Sequence, residues 1–302
     1  MLDGLSLDQL RTFLAAADEG SFSAASRKLR RAQSVVSQQI ANLEGQIGIA
    51  LFDRSGRYPK LTPEGAVLIA DARAIVAGVD GLKARAKGMA QGLEAELSVA
   101  ADVLAPMAGL AEAARTFAMQ FPGIPLRLYV EVLGATYERV LGGECAFGLV
   151  GATPLFPTSL ASERMPGIVM VRVAAADHPL ANYKAIIPKA ELARHVQLVL
   201  TDRSKLSAGR EFGVLSPNTW RLGDLGAKHA FLLRGLGWGG MPLLSVTEDL
   251  AAGRLVELAI EDEPPRPILE MAVVYPADAP PGPAGRWFID RLKECPDAAE
   301  GS

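Results

Sequence analysis

The sequence predicts a protein of mixed class: an all-α N-terminal head with a small β wing, one long helix, and a two-lobed α/β body. Three observations predict this division. Apolar residues recur at helical spacing through about residue 61, an apolar stripe of heptad period follows, and β-rich runs then alternate with helical stretches. With 302 residues, the chain is also longer than one ordinary domain. We therefore expect domains over residues 1–62, 63–91 and 92–302.

The apolar pattern of the head indicates three short helices. Gly20 ends the first helix, and Ser21 or Ser23 can cap the second. A short basic link then leads into a third helix that starts at Gln33. Two helices joined by so tight a turn form a helix-turn-helix. The basic loop over residues 55–60 contains Gly and Pro, which suits a β-hairpin wing.

Charge is unevenly divided along the chain. Residues 1–88 hold 12 lysines and arginines against 9 acidic residues, a balance of +3, whereas the remainder carries −6. Within residues 20–60, seven basic side chains accompany two acidic ones. A basic head on an acidic body indicates that the head meets a polyanion such as DNA.

The third helix combines a buried stripe, Val36, Ile40 and Leu43, with an opposite face of short polar side chains. Glutamine can pair with adenine, serine can contact bases or phosphates, and flanking arginines can hold phosphates. The alternative is a solvated polar face on a small helical domain. The candidate DNA-binding residues are Ser23, Arg30, Arg31, Gln33, Ser34, Val35, Ser37, Gln38, Arg54 and Arg57.

A long helix is predicted to begin at Thr62-Pro63-Glu64, with Thr62 as its N-cap. Apolar residues then alternate at spacings of four and three, which is typical of a seam between two helices. A symmetric dimer also suits the reading of two DNA half-sites. The alternative is an amphipathic helix that packs on its own domain. The predicted dimer seam comprises Leu68, Ala72, Ile75, Val79 and Leu82.

The body, from about residue 93, alternates strand-like runs with helical stretches. This order predicts parallel sheets covered by helices, in two lobes with a cleft where small ligands bind. The strand-like runs are Leu97–Ala101, Leu126–Val132, Ala146–Val150, Ile168–Ala174, Val196–Leu200, Leu236–Gly240 and Leu269–Tyr275. The helical stretches include Pro106–Gln120, Lys189–Arg194, Asp224–Arg234 and Val246–Ala252.

A dense series of motifs covers the head, and looser ones lie in the body. The head motifs are Phe22–Ser26 with Leu29, Gln33–Gln38 with Ile40 and Leu43-Glu44, Leu51-Phe52 with Arg54, and Leu61-Thr62 with Gly65. Those of the body are Asp177–Ala181, Gly235–Pro242 and Leu250–Val256. Together they resemble the LysR-type transcriptional regulators.

The resemblance implies a sequence-specific DNA-binding transcription regulator that is controlled by a small-molecule effector. The effector would bind between the lobes of the body, which resembles type II periplasmic binding proteins. The implied partners are double-stranded promoter or operator DNA, the effector, further copies of the chain in a homodimer or homotetramer, and RNA polymerase.

The positions that match the effector site of this family lie where strands meet helices. They are Ala101, Asp102, Val103, Ala135, Thr136, Thr201, Asp202 and Arg203. Asp102 departs from the family, in which a small hydroxyl residue is more usual at this place. An acid at the mouth of the pocket favours an amine or a zwitterion as effector. Alternatively, Asp102 caps the helix that follows it.

Other chemistries have little support in the sequence. No nucleophile-elbow, Walker or dinucleotide motif is present, and the three histidines lack metal-pair spacing, so we expect no enzyme, cofactor or metal. The rival hypothesis is an enzyme or solute-binding protein whose head serves only oligomerisation. The glycines of residues 235–240 indicate a close-packed strand.

The cysteine content and the N-terminus bear on the compartment. Only Cys145 and Cys295 occur, no secretion signal is recognisable, and no apolar run is long enough to span a membrane. We therefore expect a protein of the reducing cytoplasm. A redox switch at Cys145 is disfavoured because it adjoins a predicted buried strand.

Overall fold

The computed structural model describes residues 4–56, 58–90, 92–151, 157–202, 204–206 and 212–294. The chain forms two compact units, Met1–Gly88 and Met89–Ser302. Most of the long helix therefore belongs to the same unit as the head, and the division predicted after residue 62 does not separate compact units.

The first unit is built from helices with one small hairpin. The core contains Phe13, Val36, Ile40 and Leu43, and the ring of Phe52 meets two other phenylalanine rings edge-on. The elements are α1 (Leu7–Glu19), α2 (Phe22–Leu29), α3 (Gln33–Ile47), the antiparallel strands β1 (Phe52–Asp53) and β2 (Lys60–Leu61), and α4 (Pro63–Ala90).

Side-chain caps set the helix starts in the head. The Ser6 hydroxyl accepts the Gln9 N–H, and the Gln9 side chain accepts the Ser6 N–H, so α1 begins with a capping box. Of the two serines considered for α2, Ser21 is the cap, because its hydroxyl accepts the N–H of Ala24 at 3.1 Å. Arg30 ends α2 in the left-handed conformation, with φ of 55°, and the chain turns there into α3.

Helix α4 divides the predicted seam into two parts. Ala72 is 3% exposed in the core of the head, and the half-buried Leu68 packs against the same core. Ala72 was wrongly placed in the seam, because its side chain is already covered within one chain. The place of Leu68 in the seam stays a prediction. Further along, Ile75 and Leu82 are 50% and 59% exposed, and Val79 is half-buried. The first turns of α4 thus follow the alternative interpretation.

The second unit is an α/β body of two lobes that share one long strand. Its elements are β3 (Leu97–Asp102), α5 (Met107–Gln120), β4 (Leu126–Glu131), α6 (Gly134–Leu141), β5 (Phe147–Gly151), β6 (Leu160–Ala175), α7 (Lys189–Leu192), β7 (Gln197–Leu200), β8 (Thr219–Leu222), α8 (Leu225–Leu233), β9 (Trp238–Pro242), α9 (Leu243–Ala251), β10 (Leu255–Glu257), β11 (Ile268–Pro276) and α10 (Pro283–Glu294).

Strand β6 connects the sheets of the two lobes. In the first lobe the order is β4-β3-β5-β11-β6, and in the second it is β6-β9-β7-β8, with β10 also paired to β6. Strands β3, β4 and β5 are parallel to one another, as are β7, β8 and β9. Strands β6 and β11 run antiparallel to their neighbours, so the prediction of parallel sheets holds only for part of each lobe.

Candidate nucleic-acid interface and ligand cavity

Helix α3 has a buried apolar stripe and, beside it, a face of polar side chains that are mostly exposed. Val36, Ile40 and Leu43 are buried in the core of the head. Of the polar side chains predicted to read DNA, Gln33, Ser34 and Gln38 are exposed and Ser37 is half-buried, and Val35 beside them is also exposed. Because serines and glutamines are less bulky than aromatic or arginine side chains, the backbone of α3 can come close to the edges of bases.

The start of α3 is open toward solvent. Its N-cap residue, Ala32, has no side chain that could accept the first N–H groups of the helix. Arg30 lies just before it and is exposed, and no ion pair engages its guanidinium within the part of the chain that the structure describes. This place therefore combines free N–H groups with an available positive charge.

Two other predicted arginines are held by acids of the head. Arg31 pairs with both carboxylate oxygens of Asp8, at 2.5 and 2.7 Å, and this hydrogen bonding lowers the pKa of Asp8. Arg54 donates to Glu44 at 2.7 Å and lies over the ring of Phe22. Contact of either arginine with a phosphate would compete with an ion pair that already exists.

The remaining predicted residues of the head differ in their surroundings. The Ser23 hydroxyl accepts a hydrogen bond from Arg27 at 3.0 Å, and Gln38 donates to Asn42 at 2.8 Å. Arg57 lies outside the described residues. Arg27 and Asn42 were not singled out from the sequence, although each stands four residues from a candidate, the spacing at which helical side chains meet.

A cavity of about 260 Å³ lies between the two lobes of the body. Asp102 is the one predicted effector residue that lines it. Its walls are mostly apolar and come from both lobes. They consist of Asp102, Leu104, Val132, Leu133, Gly151, Met170, Arg172, Gln197, Leu198, Val199, Leu200, Phe212, Gly213, Lys228, Gly240, Pro267, Ile268 and Leu269.

Three other predicted effector residues line a second, smaller pocket. Val103, Ala135 and Thr201 surround a volume of about 190 Å³, together with the acidic Glu131 and Asp224. Ala101 and Thr136 are fully buried and line neither of these two pockets. Arg203 lies outside the described residues. Four of the eight predicted positions thus line one or the other of two pockets, and Val132 lines both of these pockets.

Asp102 ties two loops of the first lobe together. Its carboxylate accepts the N–H of Leu104 and that of Leu133, both at 2.9 Å, so it caps the entry to α6 and not the next helix in sequence. The side chain is 1% exposed. Burial raises its pKa to about 6 against the lowering effect of the two N–H groups, and the nearby charge of Asp202 adds to the rise.

Asp202 links the lobes at the same helix start. One of its oxygens accepts the N–H of Gly134, the first residue of α6, at 2.9 Å. The Ser204 hydroxyl donates to the same oxygen at 3.0 Å. A Cβ on Gly134 would lie 2.1 Å from that hydroxyl oxygen, so only glycine fits here. A side chain of the second lobe therefore occupies a helix terminus of the first.

Two cationic residues of the cavity were missed in the sequence. Lys228, on α8, is buried, and its ammonium donates to the carbonyl of Gly240 at 2.6 Å. Arg172, on β6, donates to Glu263 at 3.1 Å. Glycines make room for both: a Cβ on Gly239 would lie 3.1 Å from Lys228 Cε, and one on Gly240 would lie 2.4 Å from an Arg172 nitrogen.

The glycine-rich segment forms a close-packed strand, as predicted. Strand β9 is buried along its whole length. A Cβ on Gly237, just before it, would lie 2.4 Å from the carbonyl oxygen of Val196. Packing against neighbouring backbone therefore explains these glycines without a phosphate-binding loop.

Histidine and cysteine have local roles here. The His178 ring accepts the N–H of Leu180 in the turn predicted before Pro179. Among the described residues, no group of three or more histidines, cysteines and acids could hold a metal. Burial raises the pKa of the Cys145 thiol to about 11, which opposes thiolate chemistry.

No helix in the described ranges has the length and apolarity to cross a membrane.

Comparisons with known proteins bear on both units. The family model described as a bacterial regulatory helix-turn-helix protein of the lysR family matches residues 7–66. The model described as the LysR substrate binding domain matches residues 90–295. The HTH-type transcriptional regulator YnfL of Escherichia coli K12 is 30% identical over 293 residues, which cover 94% of this chain and 96% of YnfL.

Solved structures share the fold of the chain. LysG from Corynebacterium glutamicum, a full-length LysR-type regulator with arginine bound as effector, is similar with a TM-score of 0.51, 22% identity and coverage of 98% of each chain. CrgA from Neisseria meningitidis is similar with a TM-score of 0.50 and 24% identity, over 95% of this chain and 97% of CrgA. With one family model on the head and another on most of the body, the chain belongs to the LysR family of transcriptional regulators, which bind DNA through the helix-turn-helix and an effector in the body.

Proposed function

We propose that α3 reads the bases of an operator while Arg30 and the open start of α3 hold its phosphate backbone. The observation that carries this assignment is the exposed face of Gln33, Ser34 and Gln38 beside Arg30, which forms no ion pair with any described residue. Glutamine supplies paired donor and acceptor groups for adenine, and helix N–H groups bind phosphate oxygens. A merely solvated face would not need this arrangement.

Arg31 and Arg54 then act mainly as positioning residues. Arg31 joins the link before α3 to Asp8 of α1, and Arg54 joins the wing to Glu44 of α3. The other Glu44 oxygen accepts the N–H groups of Leu51 and Phe52. These contacts would fix the angle at which α3 and the wing meet DNA, which is why we do not assign the arginines to phosphates alone.

The chain would act as a homodimer, or as a homotetramer built from two such dimers, through the outer part of α4. Ile75, Leu82 and Met89 recur every seven residues, and each is at least half exposed. So regular an apolar stripe is costly to leave in water. A two-fold axis through it would place two heads on two half-sites of one operator.

The body would sense a metabolite in the cavity of about 260 Å³ and would not catalyse a reaction. Support comes from the regulators that resemble the chain over nearly its whole length. Asp202 and Gly134 join the two lobes beside this cavity, so ligand entry would alter a contact between them. The regulator would work in the cytoplasm, where it meets chromosomal DNA and RNA polymerase.

Substitutions of Arg30 and of Gln33 should distinguish phosphate binding from base recognition. Arg30→Ala should weaken binding to the operator and to random DNA by the same factor, about tenfold, because a phosphate contact carries no sequence information. Gln33→Ala should leave random DNA unchanged and relax the preference at one base position, at roughly 1–3 kcal/mol. Fluorescence anisotropy on a genomic fragment selected by the wild-type protein measures both effects.

Arg164→Ala is the matched control, because it removes the same charge from an exposed position of the body. It should leave the affinity for both kinds of DNA unchanged. If Gln33→Ala preserves every base preference and Arg30→Ala preserves the affinity, α3 does not have the proposed role.

A further inference from the structure

On the second lobe, the wall of the larger cavity carries two cations, the buried Lys228 and the largely covered Arg172. Lys228 is 5% exposed, and the side chain of Arg172 is 13% exposed. Burying a charge is costly unless an opposite charge accompanies it. Arg172 has such a charge in Glu263, so Lys228 is the cation whose charge lacks an acidic partner among the described residues.

Lys228 has no acidic partner among the described residues. Its ammonium has three N–H groups and, among the described residues, makes one hydrogen bond, to the carbonyl of Gly240. Burial, and secondarily the charge of Arg172, lower the pKa of Lys228 to about 7. A carboxylate placed beside it would supply the missing countercharge and favour the charged ammonium.

The guanidinium of Arg172 has hydrogen-bond partners for only part of its N–H groups within the described residues. One of its terminal nitrogens donates to Glu263, while its Nε is buried without a hydrogen-bond partner in the described structure. An unmatched buried donor is unusual and costs free energy. Both cations line the cavity, so an anion bound there can reach the two side chains together.

The opposite wall has a different character. Asp102 lies on the first lobe, and each of its oxygens already accepts one N–H. Each oxygen keeps further acceptor capacity for a hydroxyl or an amine. Apolar side chains line the space between the walls, among them Leu104, Met170 and Ile268.

We propose that the cavity binds a small hydroxy- or amino-carboxylic acid, whose carboxylate is held by Lys228 and Arg172 and whose donor group faces Asp102. The inference rests on the proposed function of this cavity as the effector site. It extends the expectation drawn from Asp102 alone, since that residue accounts for a donor group and says nothing about the anionic end. The prediction of an acid group at the other end of the ligand rests on Lys228 and Arg172 in the second lobe.

The test compares acids with their primary amides on the full-length protein. We would use 4-hydroxybenzoate, 4-aminobenzoate and mandelate, each beside its amide, and record binding by calorimetry and thermal unfolding. At least one acid should bind, and its amide should bind at least 30-fold more weakly, because the amide removes the charge at almost constant shape. Failure of every acid to bind better than its amide overturns the inference.

Lys228→Met keeps the length of the side chain and removes the charge. It should fold at least as stably as the wild type, because replacing an uncompensated buried charge by an apolar group removes a desolvation cost. Acid binding should fall at least 30-fold and the acid–amide difference should vanish. The exposed Lys189→Met is the control and should change neither. An undiminished acid preference in folded Lys228→Met also contradicts the inference.

A DNA readout separates this inference from the proposed function. If an acid binds through Lys228 and leaves the DNA footprint unchanged, the ligand class stands and the effector role of the cavity fails. If an amine or neutral compound alone binds the cavity and changes the footprint, the effector role stands and the carboxylate class is wrong.

Discussion

Ser34→Glu in the full-length protein should lower DNA affinity at least 100-fold, about 3 kcal/mol, without destabilising the head. Ser34 is exposed in the first turn of α3. An acid in this turn stabilises a helix by roughly 0.3–1 kcal/mol, whereas it repels a phosphate placed at the same helix start. The effects on stability and on binding therefore have opposite signs. Anisotropy with the operator and thermal unfolding measure them on the same protein.

Gln120→Glu provides the matched change of charge for this experiment, because Gln120 is exposed on α5 in the body. We expect it to leave DNA affinity unchanged. Were Ser34→Glu to fold normally and bind the operator as tightly as the wild type, the start of α3 would not face DNA.

The double substitution Ile75→Asp and Leu82→Asp should split the dimer, weakening self-association at least about 1000-fold. Burying each such side chain contributes roughly 1.5–3 kcal/mol, and a two-fold axis counts each substitution twice. The two side chains are exposed in the single chain, so the head should still fold. Sedimentation velocity over a concentration series measures the association, and operator binding should lose its half-site cooperativity.

A control with the same spacing exists on the same helix. Ala70→Asp and Ala77→Asp introduce two charges seven residues apart at exposed positions on the opposite side of α4. We expect this variant to remain dimeric. A wild-type chain that sediments as a monomer at micromolar concentration would contradict the proposed seam.

The elements of the head were predictable from sequence, because its helices have strong apolar periodicity and distinct caps. The ion-pair partners of its arginines could not be predicted in this way. Asp8 lies 23 residues from Arg31, and only the packing of α1 against α3 brings the two together. The heptad stripe of α4 likewise gave no sign of where the head stops covering it, since the apolar spacing continues from Ala72 to Ile75 although only Ala72 is buried.

In the body, more of the structure could not be predicted from local sequence patterns. Strand β6 was predicted from Ile168, while its first half contains Glu163, Arg164 and Pro166, which do not form an apolar run. Asp102 could be singled out from the sequence because it departs from the pattern of the family. Lys228 and Arg172 are 56 residues apart in sequence, and each lies in an apolar segment where a single charge appears solvent-facing. Their meeting in one cavity required the fold.

Footprinting of the purified full-length protein on genomic DNA, repeated over a series of salt concentrations, tests the central claim most directly. We predict protection of specific sites made of two half-sites, with an affinity whose logarithm falls linearly as the logarithm of salt concentration rises. Protection of no genomic site, or an affinity that does not change with salt, would contradict the assignment of the head as the DNA-binding unit.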